Sequence, residues 1–191
     1  EKWVHELGAP IVVKASGLAA GKGAVVCMTV EAALEAIRSM LGDMAFGEAG
    51  QEIIIEDFME GEEISVFAVC DGKDFVLLPP SQDHKRAGEG DTGLNTGGMG
   101  AYAPVSIATS EVMEEAATKV IAPTLEALAA DGAPFRGLLY AGLMKTEDGL
   151  KVVEFNCRFG DPETQVVLPL MKSSLLDLLV AVAQGRSVTN I

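Results

Sequence analysis

Residues Val152 to Gln165 read VVEFNCRFGDPETQ, an apolar, β-branched run that ends in polar groups. Because side chains two residues apart on a strand point to the same face, Glu154 and Asn156 are predicted to face one spot. Oxygen ligands that leave room for water and phosphate are those that Mg²⁺ prefers. The run therefore predicts a two-oxygen metal site at the end of a buried core strand. The alternatives are a paired core carboxylate and a turn-forming asparagine.

A dense polar cluster of Arg158, Asp161 and Glu163 follows this strand directly. Polar groups at the end of a core strand usually serve a site, so we expect the cluster to lie near the metal. The dipeptide Asp161-Pro162 also predicts a helix N-cap followed by proline at the first helical position.

The composition of the chain restricts its class. The 191 residues are 49% hydrophobic with a mean hydropathy of +0.29, enough for a packed core. A net charge of −14 argues against nucleic acid, although focused cations and a metal can still bind a nucleotide. The three cysteines are far apart, which indicates neither a disulfide framework nor a zinc site and fits a reducing cytoplasm. No apolar run is long enough to span a bilayer, so no membrane partner is expected.

Hydrophobic periodicity predicts an α+β chain with two halves that each combine strands and helices. The glycine-rich loop falls in one half and the metal strand in the other, so a nucleotide is expected between them. Residues 79–104 carry little periodicity and many glycines, which predicts a long functional loop. Strands are expected at residues 11–14, 24–28, 52–58, 64–70, 75–78, 138–145 and 150–155, with hairpins across Asp71-Gly72 and Asp148-Gly149. Helices are expected at 29–41, with Thr29 as the N-cap, at 110–130, and at 174–184, with Gly185 ending the last one.

The stretch from Gly17 to Gly23 carries three glycines in seven residues, which lets backbone N–H groups approach an anion closely. Lys22 within it and Lys14 before it add positive charge. Because the stretch connects two predicted strands, we interpret it as a flap over phosphates. A hairpin turn with solvated lysines is the alternative.

Two further segments carry polar groups outside regular periodicity. Glu56 to Met59 leaves a predicted strand where the backbone can pair with an adenine edge, and Glu63 lies where a ribose diol can bind. Solvated acidic residues beside a turn are the alternative. The segment Asp83 to Arg86 contains two groups that can exchange protons, Asp83 and His84. They are followed by two cations suited to bind phosphate or carboxylate, Lys85 and Arg86. A solvated charge run, with His84 in a structural role, is the alternative there.

The segments VVKASGLAAGKG, EDFMEGEEIS, SQDHKR, DTGLNTGGMGAY, LLYAGLM and EFNCRFGDPETQ, in this order, resemble the ATP-grasp superfamily. More narrowly, they resemble the phosphoribosylamine–glycine ligase family, and RFGDPETQ is the strongest signature. The resemblance implies an ATP-grasp fold, with a small lid subdomain at residues 1–62 and a larger core with an antiparallel sheet at residues 63–191.

The resemblance also implies a role for each matching residue. Glu154 and Asn156 match ligands of Mg²⁺ or Mn²⁺. The positions that match ATP contacts are Lys14, Gly17, Gly21, Lys22, Gly23, Glu56, Asp57, Phe58, Met59 and Glu63. Those expected near the transferred phosphate and the substrates are Asp83, His84, Lys85, Arg86, Arg158 and Asp161.

The activity that the resemblance implies is ATP-dependent ligation of glycine to 5-phosphoribosylamine through a glycyl phosphate, in cytoplasmic purine biosynthesis. The products are glycinamide ribonucleotide, ADP and phosphate. The parent enzyme is expected to be a monomer or part of a fused purine-pathway chain. The alternatives are another ATP-grasp carboxylate–amine ligase or carboxylase, and a nucleotide-binding module without activity.

Two positions depart from the superfamily pattern. The segment LLYAGLM lacks the acidic metal ligand that many ATP-grasp enzymes carry there, and Ser16 stands where many have aspartate. The chain also lacks an initiator methionine and the N- and C-terminal domains of the family, with an upstream ATP-contacting lysine. We therefore expect it to be an internal fragment of a longer protein.

Overall fold

The computed structural model describes residues 1–17, 19, 23–90 and 92–191, with the backbone alone at 86, 94, 95 and 97. Two compact units divide the chain, Glu1–Met59 with Leu94–Gly97 and Glu60–Gly93 with Gly98–Ile191. The assignment of lid and core with a boundary at residue 62 stays a prediction.

The described elements are nine strands and six α-helices. The strands are β1 Ile11–Ala15, β2 Ala24–Cys27, β3 Ile53–Asp57, β4 Glu62–Asp71, β5 Phe75–Leu77, β6 Gln82–Gly88, β7 Thr92–Tyr102, β8 Arg136–Thr146 and β9 Gly149–Asn156. The helices are α1 Lys2–Leu7, α2 Val30–Ile37, α3 Ser110–Glu115, α4 Ala122–Ala130, α5 Glu163–Val167 and α6 Leu175–Gln184.

The first unit is built on a three-stranded antiparallel sheet in the order β2-β1-β3. Thr29 starts α2 as predicted, because its side chain accepts a hydrogen bond from the Ala32 amide at 3.2 Å. Alternate residues of β1, Ile11 and Val13, are buried against the apolar face of α2. The predicted strands and helix of this unit are thus confirmed, with α2 continuing as a π-helical segment at Arg38–Gly42.

The second unit is built on a four-stranded antiparallel sheet in the order β5-β4-β8-β9. β4 is buried on both sides, because α3 and α4 cover one face of the sheet and α5 and α6 pack against the other. The hairpins predicted across Asp71-Gly72 and Asp148-Gly149 are confirmed. Ser174 and Gly185 bound α6 as predicted, the first through its side chain and the second in the left-handed conformation, with φ 64°.

The predicted helix at 110–130 is interrupted. A π-helical segment, Ala116–Ile121, lies between α3 and α4. Pro123 in the first turn of α4 accounts for it, because proline donates no hydrogen bond and its ring crowds the carbonyl of the preceding turn.

The prediction of a structureless loop at 79–104 was wrong. β6 and β7 pair there as a two-stranded sheet. The two strands are joined by backbone hydrogen bonds, and neither of them alternates apolar and polar residues. Hydrophobic periodicity therefore does not reveal them.

The prediction that the strand ending in Glu154 and Asn156 is buried was also wrong. β9 is an edge strand of its sheet, and Val152 and Phe155 are 42% and 40% exposed. A register shift between Gly142 and Leu143 makes β9 irregular at this point. Its β-branched composition indicates a strand but does not reveal its place in the sheet.

The N-cap predicted at Asp161 was wrong by one residue. α5 begins at Glu163, and Pro162 occupies the cap position without a side-chain hydrogen bond. The Asp161 carboxylate instead accepts a hydrogen bond from Gln165 Nε2 at 2.5 Å.

Among the described residues, no single helix has the length and apolar composition to cross a membrane. Two consecutive helical segments are long and apolar enough only when they are counted together, and they are bent by 102° relative to each other; they are Glu163–Leu170 and Leu175–Gln184.

Candidate functional site

The second unit gathers polar side chains on one face of its sheet, across β4, β8 and β9. Glu154 lies opposite Gly142, and Asn156 lies opposite Tyr140. Asn156 Nδ2 donates a hydrogen bond to Glu154 Oε1 at 3.1 Å, which confirms that the two side chains share a face. Their role as metal ligands stays a prediction.

The side chains of Glu154 and Asn156 fit a hard divalent cation. A carboxylate and an amide oxygen are ligands that Mg²⁺ accepts, with the remaining positions left to water and phosphate. No group of three or more His, Cys, Asp and Glu side chains arranged for a metal occurs among the described residues. The described donor set therefore suits a metal shared with a nucleotide better than a closed structural metal centre.

Gly142 explains how the sheet makes room for Glu154. A Cβ atom at Gly142 would lie 3.3 Å from Glu154 Cγ, tighter than ordinary contact. The segment LLYAGLM of β8, which lacks the acidic metal ligand of many ATP-grasp enzymes, thus places Gly142 directly opposite Glu154.

A buried chain of hydrogen bonds runs behind this pair. The Tyr140 hydroxyl donates to Glu163 Oε1 at 2.7 Å and lies 2.9 Å from Ser65 Oγ. Burial, followed by the charges of Glu163 and Glu154, raises the pKa of Tyr140, which keeps its proton for this bond. The sequence reasoning missed Tyr140 and Ser65, whose only signal is a lone polar group inside each of two apolar strands.

Lys85 on β6 is held by Glu63 on β4. Lys85 Nζ lies 2.8 Å from Glu63 Oε2, and Gln82 Nε2 donates to the Glu63 carbonyl at 2.8 Å. Burial by itself lowers the pKa of Lys85, but Glu63 and then Glu154 and Asp83 more than offset this effect and raise it. A protonated lysine therefore faces the acidic groups of the site.

Asp83 lies on the same face of β6 as Lys85, and its Oδ1 atom is buried with no hydrogen-bond partner among the described groups. Burial and then the charge of Glu163 raise the pKa of Asp83 to about 6. A Cβ atom at Gly98 would lie 3.2 Å from Asp83 Oδ1 and 2.6 Å from Pro162 Cδ. Gly98, with φ 119°, thus lets the Asp83 carboxylate approach the start of α5.

His84 is separated from Asp83 and Lys85 because strand residues alternate between faces. It is exposed, and its ring stacks on Tyr102 with centroids 5.7 Å apart. The Tyr102 hydroxyl donates to Gln82 Oε1. The predicted four-residue cluster is therefore divided, and the side chain of its fourth member, Arg86, lies outside the described part of the chain.

Arg158 and Asp161 are both exposed. Arg158 Nη1 donates to the Phe159 carbonyl at 3.0 Å, and Asp161 is bonded to Gln165. The structure describes no bond from either of them to the Tyr140–Glu163 chain, so their expected roles stay predictions.

In the first unit, Lys14 Nζ forms an ion pair with Glu56 Oε2 at 2.6 Å. Both residues lie on the face of their sheet opposite to Val13 and Ile55. Asp57 ends β3 and is exposed, and Phe58 and Met59 are half-buried.

The two described glycines at the ends of the glycine-rich stretch are required for close packing. The Gly17 amide donates to the Ala49 carbonyl at 3.0 Å, and a Cβ atom at Gly17 would lie 2.5 Å from Ala49 Cα. A Cβ atom at Gly23 would lie 2.6 Å from Ala19 Cβ. Anion binding by this stretch stays a prediction, and Gly21 and Lys22 lie outside the described residues.

Solved structures define the class of protein to which this fold belongs. The biotin carboxylase domain of 2-oxoglutarate carboxylase from Hydrogenobacter thermophilus, solved with MgADP and bicarbonate, matches with a TM-score of 0.70 over 98% of this chain and 39% of that chain. At 19% identity this likeness concerns the fold alone. Phosphoribosylamine–glycine ligase from Thermotoga maritima matches with a TM-score of 0.82 and 33% identity, over 97% of this chain and 47% of that chain. The fold is the α+β ATP-grasp fold, as the sequence resemblance implied.

The family within that class follows from sequence comparison. Residues 1–164 match the model of the phosphoribosylglycinamide synthetase ATP-grasp (A) domain, and the chain belongs to this family. Phosphoribosylamine–glycine ligase from Brucella melitensis is 53% identical over 96% of this chain, and that from Vibrio vulnificus is 54% identical over 94%. The chain spans 43% and 42% of the length of these two relatives.

Proposed function

We propose that the protein containing this chain joins glycine to 5-phosphoribosylamine at the expense of ATP, in purine biosynthesis. The observation that carries the proposal is the polar face of the second unit, where Glu154 and Asn156 lie together with the Lys85–Glu63 pair. The relatives named phosphoribosylamine–glycine ligase, 53% and 54% identical to this chain, support the same reaction.

In this proposal, each described residue has a binding or positioning task. Glu154 and Asn156 hold Mg²⁺ or Mn²⁺, which neutralises phosphate charge when it is bound. Lys14 releases its ion pair with Glu56 and binds phosphate oxygens instead. Lys85 fixes the Glu63 carboxylate through Oε2, which orients Oε1 toward the ribose diol.

The proposed reaction has two steps. The glycine carboxylate attacks the γ-phosphate of ATP to give an acyl phosphate and ADP, and the amine of phosphoribosylamine then displaces phosphate from the acyl carbon. Positioning and charge neutralisation supply most of the acceleration, because phosphoryl transfer needs little covalent work from the protein. Arg158, Asp161, His84 and Arg86 are proposed to contact the substrates.

The proposed setting is the cytoplasm, without a nucleic-acid or membrane partner. The net charge of −14 supports the expectation of no nucleic-acid partner, since a nucleic-acid surface repels an acidic protein.

The reaction is tested by ADP release from the whole protein that contains this chain, with ATP, Mg²⁺ and 5-phosphoribosylamine, and with glycine present or omitted. We expect release to depend on glycine and to be unaffected when bicarbonate is added in its place. Bicarbonate-dependent release without a glycine requirement would instead indicate a carboxylase.

The metal pair is tested by Glu154→Gln, which removes the carboxylate charge and keeps the side-chain size. We expect Mg·ATP affinity, measured by calorimetry, to fall by about tenfold, equivalent to about 1.4 kcal/mol. Affinity for ATP in the presence of a chelator should stay the same. Glu147→Gln, at an exposed position in the β8–β9 turn, is the matched control. Equal Mg·ATP affinity in the Glu154 variant and the control would refute the assignment.

A further inference from the structure

Glu163 is a buried carboxylate that the proposed reaction leaves without a task. It is 3% exposed and belongs to the first turn of α5. No lysine or arginine forms an ion pair with it in the part of the chain that the structure describes. Burying a carboxylate costs free energy unless hydrogen bonds or an opposite charge replace its lost hydration.

Hydrogen bonding and close packing fix the position of Glu163. Tyr140 donates its only hydroxyl proton to Glu163 Oε1, so Ser65 Oγ must donate to Tyr140. The other oxygen, Oε2, lies so close to Gly160 that a Cβ atom there would overlap it. The carboxylate is therefore held from both sides in one orientation.

Asp83 is the titratable group on which this fixed charge acts. Its Oδ1 atom is buried and has no hydrogen-bond partner among the described groups, and the Asp83 carboxylate lies beside Pro162, the residue before Glu163. The charged and titratable groups that act on its pKa are Glu163 from α5, Glu63 from β4, Lys85 from the same face of β6, and His84 from the opposite face. Burial first and Glu163 second raise the pKa of Asp83 to about 6, against the opposing effect of Lys85.

We propose that Glu163 is a positioning residue for the ligation, and that Asp83 takes the proton that the attacking amine releases. This inference rests on the proposed function. The amine nitrogen forms a bond to the acyl carbon, the bond from that carbon to the phosphate oxygen breaks, and phosphate leaves with the electron pair. The nitrogen then loses one proton to an Asp83 oxygen, from which it passes to water.

The surroundings of Asp83 suit this task. A carboxylate with an ordinary pKa near 4 is a weak base, whereas the best general bases have a pKa closer to the working pH. Like charges raise the pKa of a carboxyl group, so the fixed charge of Glu163 makes Asp83 a stronger base. Lys85 is bonded to Glu63, and no ion pair joins it to Asp83 among the contacts of the described residues.

Glu163→Gln tests the inference in the whole protein that contains this chain, because glutamine keeps an acceptor for the Tyr140 hydroxyl and removes the charge. We expect the acid limb of kcat/KM for ligation, near pH 6 in the wild type, to move to lower pH by roughly half a unit to one unit. Glu163→Asp, which keeps the charge, should leave the limb near its wild-type position. Glu126→Gln, at an exposed position of α4, is the control.

A second measurement does not depend on ligation. The Asp83 carboxylate is followed by carbon-13 NMR during a pH titration of the same whole protein and is assigned by its loss in Asp83→Asn. We expect a midpoint near 6 in the wild type and a lower midpoint in Glu163→Gln.

The outcomes separate this inference from the proposed function. Glycine-dependent ADP release with an unshifted acid limb in Glu163→Gln would overturn the inference and leave the proposed function intact. An Asp83 midpoint near 4 in the wild type would also overturn it. If the wild type released no ADP in response to glycine, the proposed function would fail, and the role of Asp83 with it.

Discussion

At the scale of single residues, Asp71 shows how one side chain joins distant parts of the second unit. It is 7% exposed at the end of β4. Its Oδ1 accepts hydrogen bonds from the amides of Lys73 and Asp74 at 2.9 and 2.8 Å, and its Oδ2 accepts one from Val188 at 3.1 Å. A single carboxylate thus shapes the β4–β5 turn and fixes the segment that follows α6.

The charge of Asp71 makes the stability of this unit depend on pH. Burial would raise the pKa of Asp71, but the amides of Asp74, Lys73 and Val188, with Arg136, outweigh it and lower the pKa. A carboxyl group whose pKa is lower in the folded state stabilises the fold above its unfolded pKa, and this contribution is lost as pH falls through the folded pKa.

We therefore expect Asp71→Asn to reduce the free energy of unfolding by about 2 kcal/mol at pH 7, with a smaller loss below about pH 4. Urea unfolding at several pH values measures both losses. Asp74→Asn, at an exposed position of the same turn, should change stability little. A loss in Asp71→Asn that stayed constant down to pH 2 would contradict the assigned role of the charge.

Residue-scale prediction from sequence succeeded where local geometry decides the answer. Glu154 and Asn156 share a face because the two-residue repeat of a strand places them there. The grouping of Asp83 with His84 failed for the same reason, since consecutive strand residues point to opposite faces. The partners of Glu163 were not predictable, because Tyr140 and Ser65 come from strands 23 and 98 residues earlier in the chain.

At the scale of elements, the turns and caps were the most predictable features. Thr29 and Ser174 cap α2 and α6 because a hydroxyl before an apolar helix satisfies a free amide. The edge position of β9 and the pairing of β6 with β7 were not predictable, because strand order depends on which strands meet in the folded sheet.

Gly61, directly before β4, illustrates how closely the central strands approach each other. A Cβ atom at Gly61 would overlap the backbone carbonyl oxygen of Lys145 on β8. This neighbour is backbone in a paired strand, so it can move away only by disturbing the ladder.

We expect Gly61→Ala to reduce the free energy of unfolding by about 1–3 kcal/mol. Gly100→Ala in β7, where a Cβ atom meets nothing within 4 Å, is the matched control and should cost much less. Chemical denaturation of both variants measures the difference. Equal losses would show that the Gly61 contact relaxes without cost.

At the scale of the whole molecule, each unit has its own apolar core, as the contacts within each show. In the second unit, β4 and β8 lie at the centre of the sheet with apolar contacts on both faces, while β9 lies at the edge. Amides of central strands open to solvent only in large unfolding events, whereas an edge strand opens locally.

Native-state hydrogen exchange should therefore be slowest at Val66–Cys70 and Leu138–Leu143. Amides of β9 should exchange faster, and those of α1, whose only buried residue is Val4, faster still. Exchange in β9 as slow as in β4 would mean that the edge is covered in solution.

The sequence by itself determined seven of the nine described strands, the caps at Thr29 and Ser174, the two hairpin turns and the family of this protein, because each depends on residues close together in the chain or on whole motifs. Only the tertiary structure decided that β9 is an edge strand and that β6 and β7 pair. It alone also placed the Asp83 carboxylate beside α5 and the Tyr140 hydroxyl on Glu163. The physical reason is that burial and charge coupling depend on groups that are far apart in the chain and meet only in the folded sheet. Local sequence does not determine the distances between such groups.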